Sequence, residues 1–143
     1  MLKKILVAID GSEGSRRAAT FAQQLAQQTG AHVTLVTAIH LPASVPILPF
    51  DGWISVMPSP SAAQLVEAQR SLEAFAASLP KNQVDARVEL GEPTEVITKL
   101  AEDLQVDLVV LGARGLTPSE RFLVGSVSDR IVRHCKRPVT IVK

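Results

Sequence analysis

The chain has 143 residues, of which 46% are hydrophobic, 20% charged and 3% aromatic, and its formal net charge is +1. That length suits one domain over residues 1–143 with an aliphatic core, and the near-neutral balance gives no global attraction to nucleic acid or an anionic membrane. A single cysteine, Cys135, excludes an intramolecular disulfide, and no stretch reaches the ~18 apolar residues of a membrane span.

The opening MLKKILVAID carries an apolar run, Lys4 to Ile9, that reads as a strand buried on both faces. It leads straight into an Asp-Gly turn and lacks the h-region of a signal peptide, so the expected location is cytoplasmic. In DGSEGS, Ser12 is a candidate N-cap for a helix whose apolar stripe is Ala18, Phe21, Ala22, Leu25 and Ala26, closed by Gly30. A second continuous strand runs from Val33 to Ile39.

The segment from Leu41 to Pro60 holds five of the nine prolines, the only tryptophan, Trp53, and many apolar residues. A proline-rich loop of this length is uncommon inside a compact domain. Three readings are open for it: a cover over a ligand, a contact with a second copy, or a variable loop folded on its own domain.

Leu65, Ala68, Leu72, Phe75, Ala76 and Leu79 predict a second helix, stopped by Pro80. Val84 to Leu90 alternates, as an edge strand with one wetter face would. Pro93 and Thr94 open a third helix with Val96, Ile97, Leu100, Ala101 and Leu104 on its inner face. Val106 to Leu111 is another buried strand. Ser126 starts a fourth helix with the stripe Val127, Ile131, Val132 and Cys135, and Val139 to Val142 is the final strand. Arg130, Arg133, His134, Lys136 and Arg137 cluster at the end of that helix, where cations suit the helix dipole.

Such alternation predicts an α/β fold: a Rossmann-like, open, five-stranded parallel sheet with helices on both faces. The most buried runs belong in the centre, which gives the strand order 3-2-1-4-5. A ligand is then expected where the winding reverses, at the carboxyl ends of the first and fourth strands. Asp10 ends the first, and Gly112 ends the fourth.

Between them in function stands the stretch GARGLTPSERFLVGS, Gly112 to Ser126. Its glycines allow close backbone approach to an anion, and Gly125-Ser126 precedes a helix whose free N–H groups would face the loop. Arg114 and Arg121 could add charge, and Asp10 could accept from a ribose hydroxyl or a base amine. The P-loop and G-x-G-x-x-G patterns are absent. The residues alone leave both a phosphate cradle and an ordinary surface loop open.

Gly112-Ala-Arg-Gly115, nine residues, then Gly125-Ser126 resembles the G-2x-G-9x-G-[ST] signature of the universal stress protein family. KKILVAIDGSE, the GEP turn at Gly91, VDLVVLGARG and RPVTIVK extend the resemblance over nearly the whole chain, except about residues 41–63. It implies ATP as ligand, accompanied by Mg2+, with Asp10, Ala8 and Ala38 beside adenine and ribose. It also implies Leu111 flanking the base, Gly112 and Gly115 near ribose and the first phosphates, and Gly125, Ser126 and Val127 on the outer phosphates, with Arg114 a further candidate for binding the nucleotide. Ala8 is a departure, since many nucleotide-binding members carry proline two residues before the aspartate. The resemblance further implies a stress-response regulator that forms a homodimer through strand 139–142, while the charge balance predicts no nucleic-acid or membrane partner. A nucleotide-independent adaptor and a hydrolase of adenylated substrates are the competing expectations.

Overall fold

The computed structural model describes residues 1–40, 60–80, 83–113 and 125–143, together with the backbone of 45–47 and 54–56. The elements run β1 (Lys4–Ala8), α1 (Glu13–Thr29), β2 (His32–Ile39), β3 (Val45–Ile47), β4 (Ile54–Val56), α2 (Ala62–Ser78), β5 (Val84–Leu90), α3 (Pro93–Asp103), β6 (Leu108–Gly112), α4 (Ser126–His134) and β7 (Val139–Val142). Five strands form one parallel sheet in the order β5-β2-β1-β6-β7. This is the order expected from the sequence. An antiparallel pairing of β3 with β4 inside the proline-rich segment was not expected from it; Trp53 lies outside the described residues, as do both arms of the segment around the pairing.

Alternation along the central strands loads both faces of the sheet. Ile5 and Val7 of β1 join Val33, Leu35, Ala18, Ala22 and Leu72 in a core beneath α1 and α2. Leu6, one residue out of phase, joins Val36, Ile97, Val109, Leu111 and Ile131 beneath α3 and α4. The inner face of α1 is built mainly of small residues, with Ala18, Ala19 and Ala22 fully buried and Phe21 and Leu25 packed beside them.

Helix ends follow the residues at them. Ser12 caps α1 by accepting the Ser15 N–H, and Gly30 ends it in the left-handed region at φ 73°. Ser61 and Gln64 form a reciprocal capping box on α2. The basic residues at the end of α4 are largely in ion pairs: Arg133 with Asp129, Arg130 with Glu92, and Lys136 with Glu102. The apolar stripe expected on α4 is narrower than predicted. Ile131 is fully buried and Cys135 is half-buried, but Val127 and Val132 are exposed, because only one side of this nine-residue helix meets the sheet.

At the far end of the sheet, Asp107 ties β6 to the start of β1. Its carboxylate accepts the N–H groups of Lys3 at 2.7 Å and Lys4 at 2.9 Å. These bonds, Lys3 first, favour the charged form and hold its pKa below the ordinary aspartate value. Its contribution is therefore complete well above the unfolded pKa of about 3.9 and is lost as pH falls through the lower folded value. The melting-temperature gap between wild type and Asp107→Ala should stay constant from pH 7 to about 5 and shrink below about 4. An undiminished gap near pH 3 would refute this role.

Candidate functional site

A cleft of about 270 Å³ opens at the carboxyl ends of β1 and β6, the point where the sheet's winding reverses. Its inner wall is apolar: Val36, Ala38, Leu111, Ile97 and Ile131 come from both strands and helices. Its polar groups come from two chain segments, Asp10 to Ser15 on one side and Gly125 to Ser128 on the other.

The first segment is a turn built by its own side chains. Gly11 takes φ 83°, which a residue with a Cβ rarely adopts, and the chain reverses into α1. One carboxylate oxygen of Asp10, Oδ1, then accepts both the N–H of Ser12, at 2.9 Å, and its hydroxyl. Ser15 Oγ donates to the Ser12 carbonyl at 2.9 Å. The exposed Asp10 carboxylate is thus fixed at the rim by the helix cap beneath it.

Gly112 joins this segment to β6. A Cβ placed on it would stand 2.6 Å from the Gly14 carbonyl carbon and 2.9 Å from the Ser15 nitrogen, both backbone atoms of α1. The sequence suggests a ligand as the reason for this glycine, whereas the structure supplies one within the fold. The first turn of α1 rests directly on the end of β6.

The second segment is the start of α4. Its N-cap is Gly125, with no side-chain cap, so nothing of the cap's own occupies the first N–H groups of the helix. The corresponding positions of α1 and α3 differ: Ser12 caps one, and the Glu92 carboxylate caps the other by accepting the Glu95 N–H at 3.2 Å. Gly125 sits at φ −65° and ψ 158°, a conformation open to any residue. A side chain at this position would therefore carry no backbone strain, and Gly125→Val would act through the bulk it adds at the cleft. The segment is held from two sides. Gly125 donates its N–H to the Ala113 carbonyl, and Ser128 Oγ donates to the Gly112 carbonyl at 2.8 Å.

Of the residues singled out from sequence, Asp10, Ala8, Ala38, Leu111, Gly112, Gly125, Ser126 and Val127 all line this one cleft. Arg114, Gly115 and Arg121 lie outside the described residues. The sequence gives Ser12 as a helix cap and Pro93 and Ile97 as parts of the third helix, and it does not single out Ser15 or Ser128; all five also line the cleft. Ser128 had a signal in its spacing, two residues beyond Ser126 in the first turn of the same helix. Among the described residues, no group of three His, Cys, Asp or Glu is placed to hold a metal ion, and no helix is long and apolar enough to cross a membrane.

The universal stress protein family model matches residues 1–143. A Staphylococcus epidermidis protein bearing the universal stress protein name is 33% identical over 142 residues, which is 99% of this chain and 84% of the relative. Among solved structures, the universal stress protein UspA from Lactobacillus plantarum superposes with a TM-score of 0.79 at 22% identity, covering 99% of this chain and 97% of that one. A universal stress protein in complex with cAMP superposes with a TM-score of 0.71 at 26% identity, covering 99% and 96%. With the sheet order in agreement and the match running end to end, the chain belongs to the universal stress protein family.

Proposed function

We propose that the cleft binds an adenine nucleotide, ATP in the first instance, and that the chain is a stress-response regulator with slow or no hydrolysis. Occupancy would act on pairing with a second copy or on a partner surface. The observation that carries this reading is the N-terminus of α4: a helix start without a side-chain cap, opening onto an apolar slot with a carboxylate on the opposite rim. Free N–H groups and the helix dipole favour phosphate there, and the slot between Leu111, Val36 and Ala38 suits a flat, weakly polar base. Asp10 stands where it could accept from a ribose hydroxyl or a base amine. The complex of a relative with cAMP supports the choice of adenine. Magnesium would arrive on the phosphates and keep most of its waters.

Pairing through β7 belongs to the same proposal. The strand lies at the edge of the sheet, and the neighbouring Val132 of α4 is 49% exposed. A second copy would cover both.

Titration calorimetry of nucleotide-stripped protein with magnesium-ATP and with cAMP tests the reading. Saturable binding of either is expected, and none by folded protein would leave a nucleotide-independent adaptor as the better account. Asp10→Asn sharpens the test. Its carbonyl oxygen still accepts from Ser12, so the turn should survive, while the lost charge should weaken binding by about tenfold. Asp10→Ala removes the Ser12 acceptor as well, so some loss of stability is expected with it. Unchanged affinity in the asparagine variant would remove Asp10 from the site.

A further inference from the structure

The two edges of the sheet are finished differently, and the difference turns on Gln69. In β5 the inward backbone groups belong to odd-numbered residues: Val33 donates its N–H to the Gln83 carbonyl, and Gly91 donates to the Ile39 carbonyl. Residues Val84, Ala86, Val88 and Leu90 therefore turn their N–H and carbonyl groups outward, away from β2. At the middle of that row, the half-buried Gln69 of α2 lays its side-chain amide. Nε2 donates to the Ala86 carbonyl at 3.1 Å, and Oε1 accepts the Val88 N–H at 3.2 Å. One residue of a neighbouring parallel strand makes the same pair of bonds, donating to residue i−1 and accepting from residue i+1. The amide is itself steadied by a 2.7 Å bond from Nε2 to Glu73 Oε1.

At the other edge, Val109 donates to the Pro138 carbonyl and Ala113 to the Val142 carbonyl, so β7 turns the backbone of Val139 and Ile141 outward. Among the described residues, no hydrogen bond reaches that row.

We propose that Gln69 is a strand surrogate that closes the β5 edge against a second copy of this chain. One open edge permits association that ends at a pair. Two open edges on an all-parallel sheet permit head-to-tail continuation, β7 of one copy against β5 of the next, which does not close and grows into filaments. The glutamine thus restricts which surfaces copies of the chain can share.

Sedimentation velocity over a tenfold concentration range, with circular dichroism to verify folding, tests this without reference to nucleotide. Wild type should keep a discrete species. Gln69→Ala should show an average mass rising about twofold or more over that range, and at low concentration its Val88 amide should exchange about tenfold faster. Adding Val88→Pro to that variant removes the donor that Gln69 had covered, so the mass should return to the wild-type value. A folded Gln69→Ala that sediments as wild type overturns the proposal, and so does growth that Val88→Pro leaves intact. If Gln69→Ala does not fold, Gln69→Glu replaces it: it keeps the helix and side-chain length but sets a carboxylate against the Ala86 carbonyl, and the same outcomes apply.

Discussion

Gly112→Ala should lower the melting temperature by roughly 10 °C, the consequence of about 3 kcal/mol of overpacking in a domain of this size. Ordinary small-to-large changes are relieved by rotating a neighbouring side chain. Here the new methyl would meet the Gly14 carbonyl carbon at 2.6 Å, its oxygen at 2.8 Å and the Ser15 nitrogen at 2.9 Å. All three are backbone atoms, so relief requires α1 to lift from β6. That movement would also disturb the Asp10–Ser12 turn, and nucleotide binding should fall with stability. A thermal unfolding curve superimposable on wild type would show that α1 does not rest on Gly112 as described.

Ser126→Asp should do the opposite, separating stability from binding. Ser126 is the first residue of α4 and is exposed, with Gly125 providing no side-chain cap. A carboxylate there interacts favourably with the helix dipole, a gain of about 0.3–1 kcal/mol. The same charge would stand where a phosphate is expected. Two unit charges 4 Å apart repel by about 4 kcal/mol at an effective dielectric of about 20, enough after salt screening for a loss of about a hundredfold in affinity. Calorimetry and thermal unfolding on one preparation check both signs. A more stable variant with wild-type affinity would move the phosphate away from α4.

These two residues also show where the sequence was informative. Continuous aliphatic runs such as ILVAI and VDLVVL announced central parallel strands, and the alternating VDARVEL announced an edge. The strand order followed from burial, and so did the place of the cleft. The antiparallel pairing of Val45–Ile47 with Ile54–Val56 was hidden because prolines dominate the surrounding composition. On α4, spacing placed Val127 and Val132 on one stripe with Ile131, but a short helix against a narrow strip of sheet buries only Ile131 fully. Glycines were the most ambiguous signal. A pattern of glycines after a strand suggests room for a ligand, yet no pattern distinguishes room for a ligand from room for a neighbouring helix, and Gly112 needs the second. Ser12 and Ser128 were obscure for a related reason. Each has a bond inside the fold, as cap or as tether, and its place in the cleft depends on elements distant in sequence.

The clasp between Ala113 and Gly125 separates the length of the chain between them from the geometry of the cleft. The N–H of Gly125 on the Ala113 carbonyl, and the hydroxyl of Ser128 on the Gly112 carbonyl, bring the two ends of this excursion together within the described fold. Closing a longer excursion costs only about 0.6 kcal/mol for each doubling of its length. The start of α4 is therefore positioned by its own two bonds to the end of β6 and not by the chain between them.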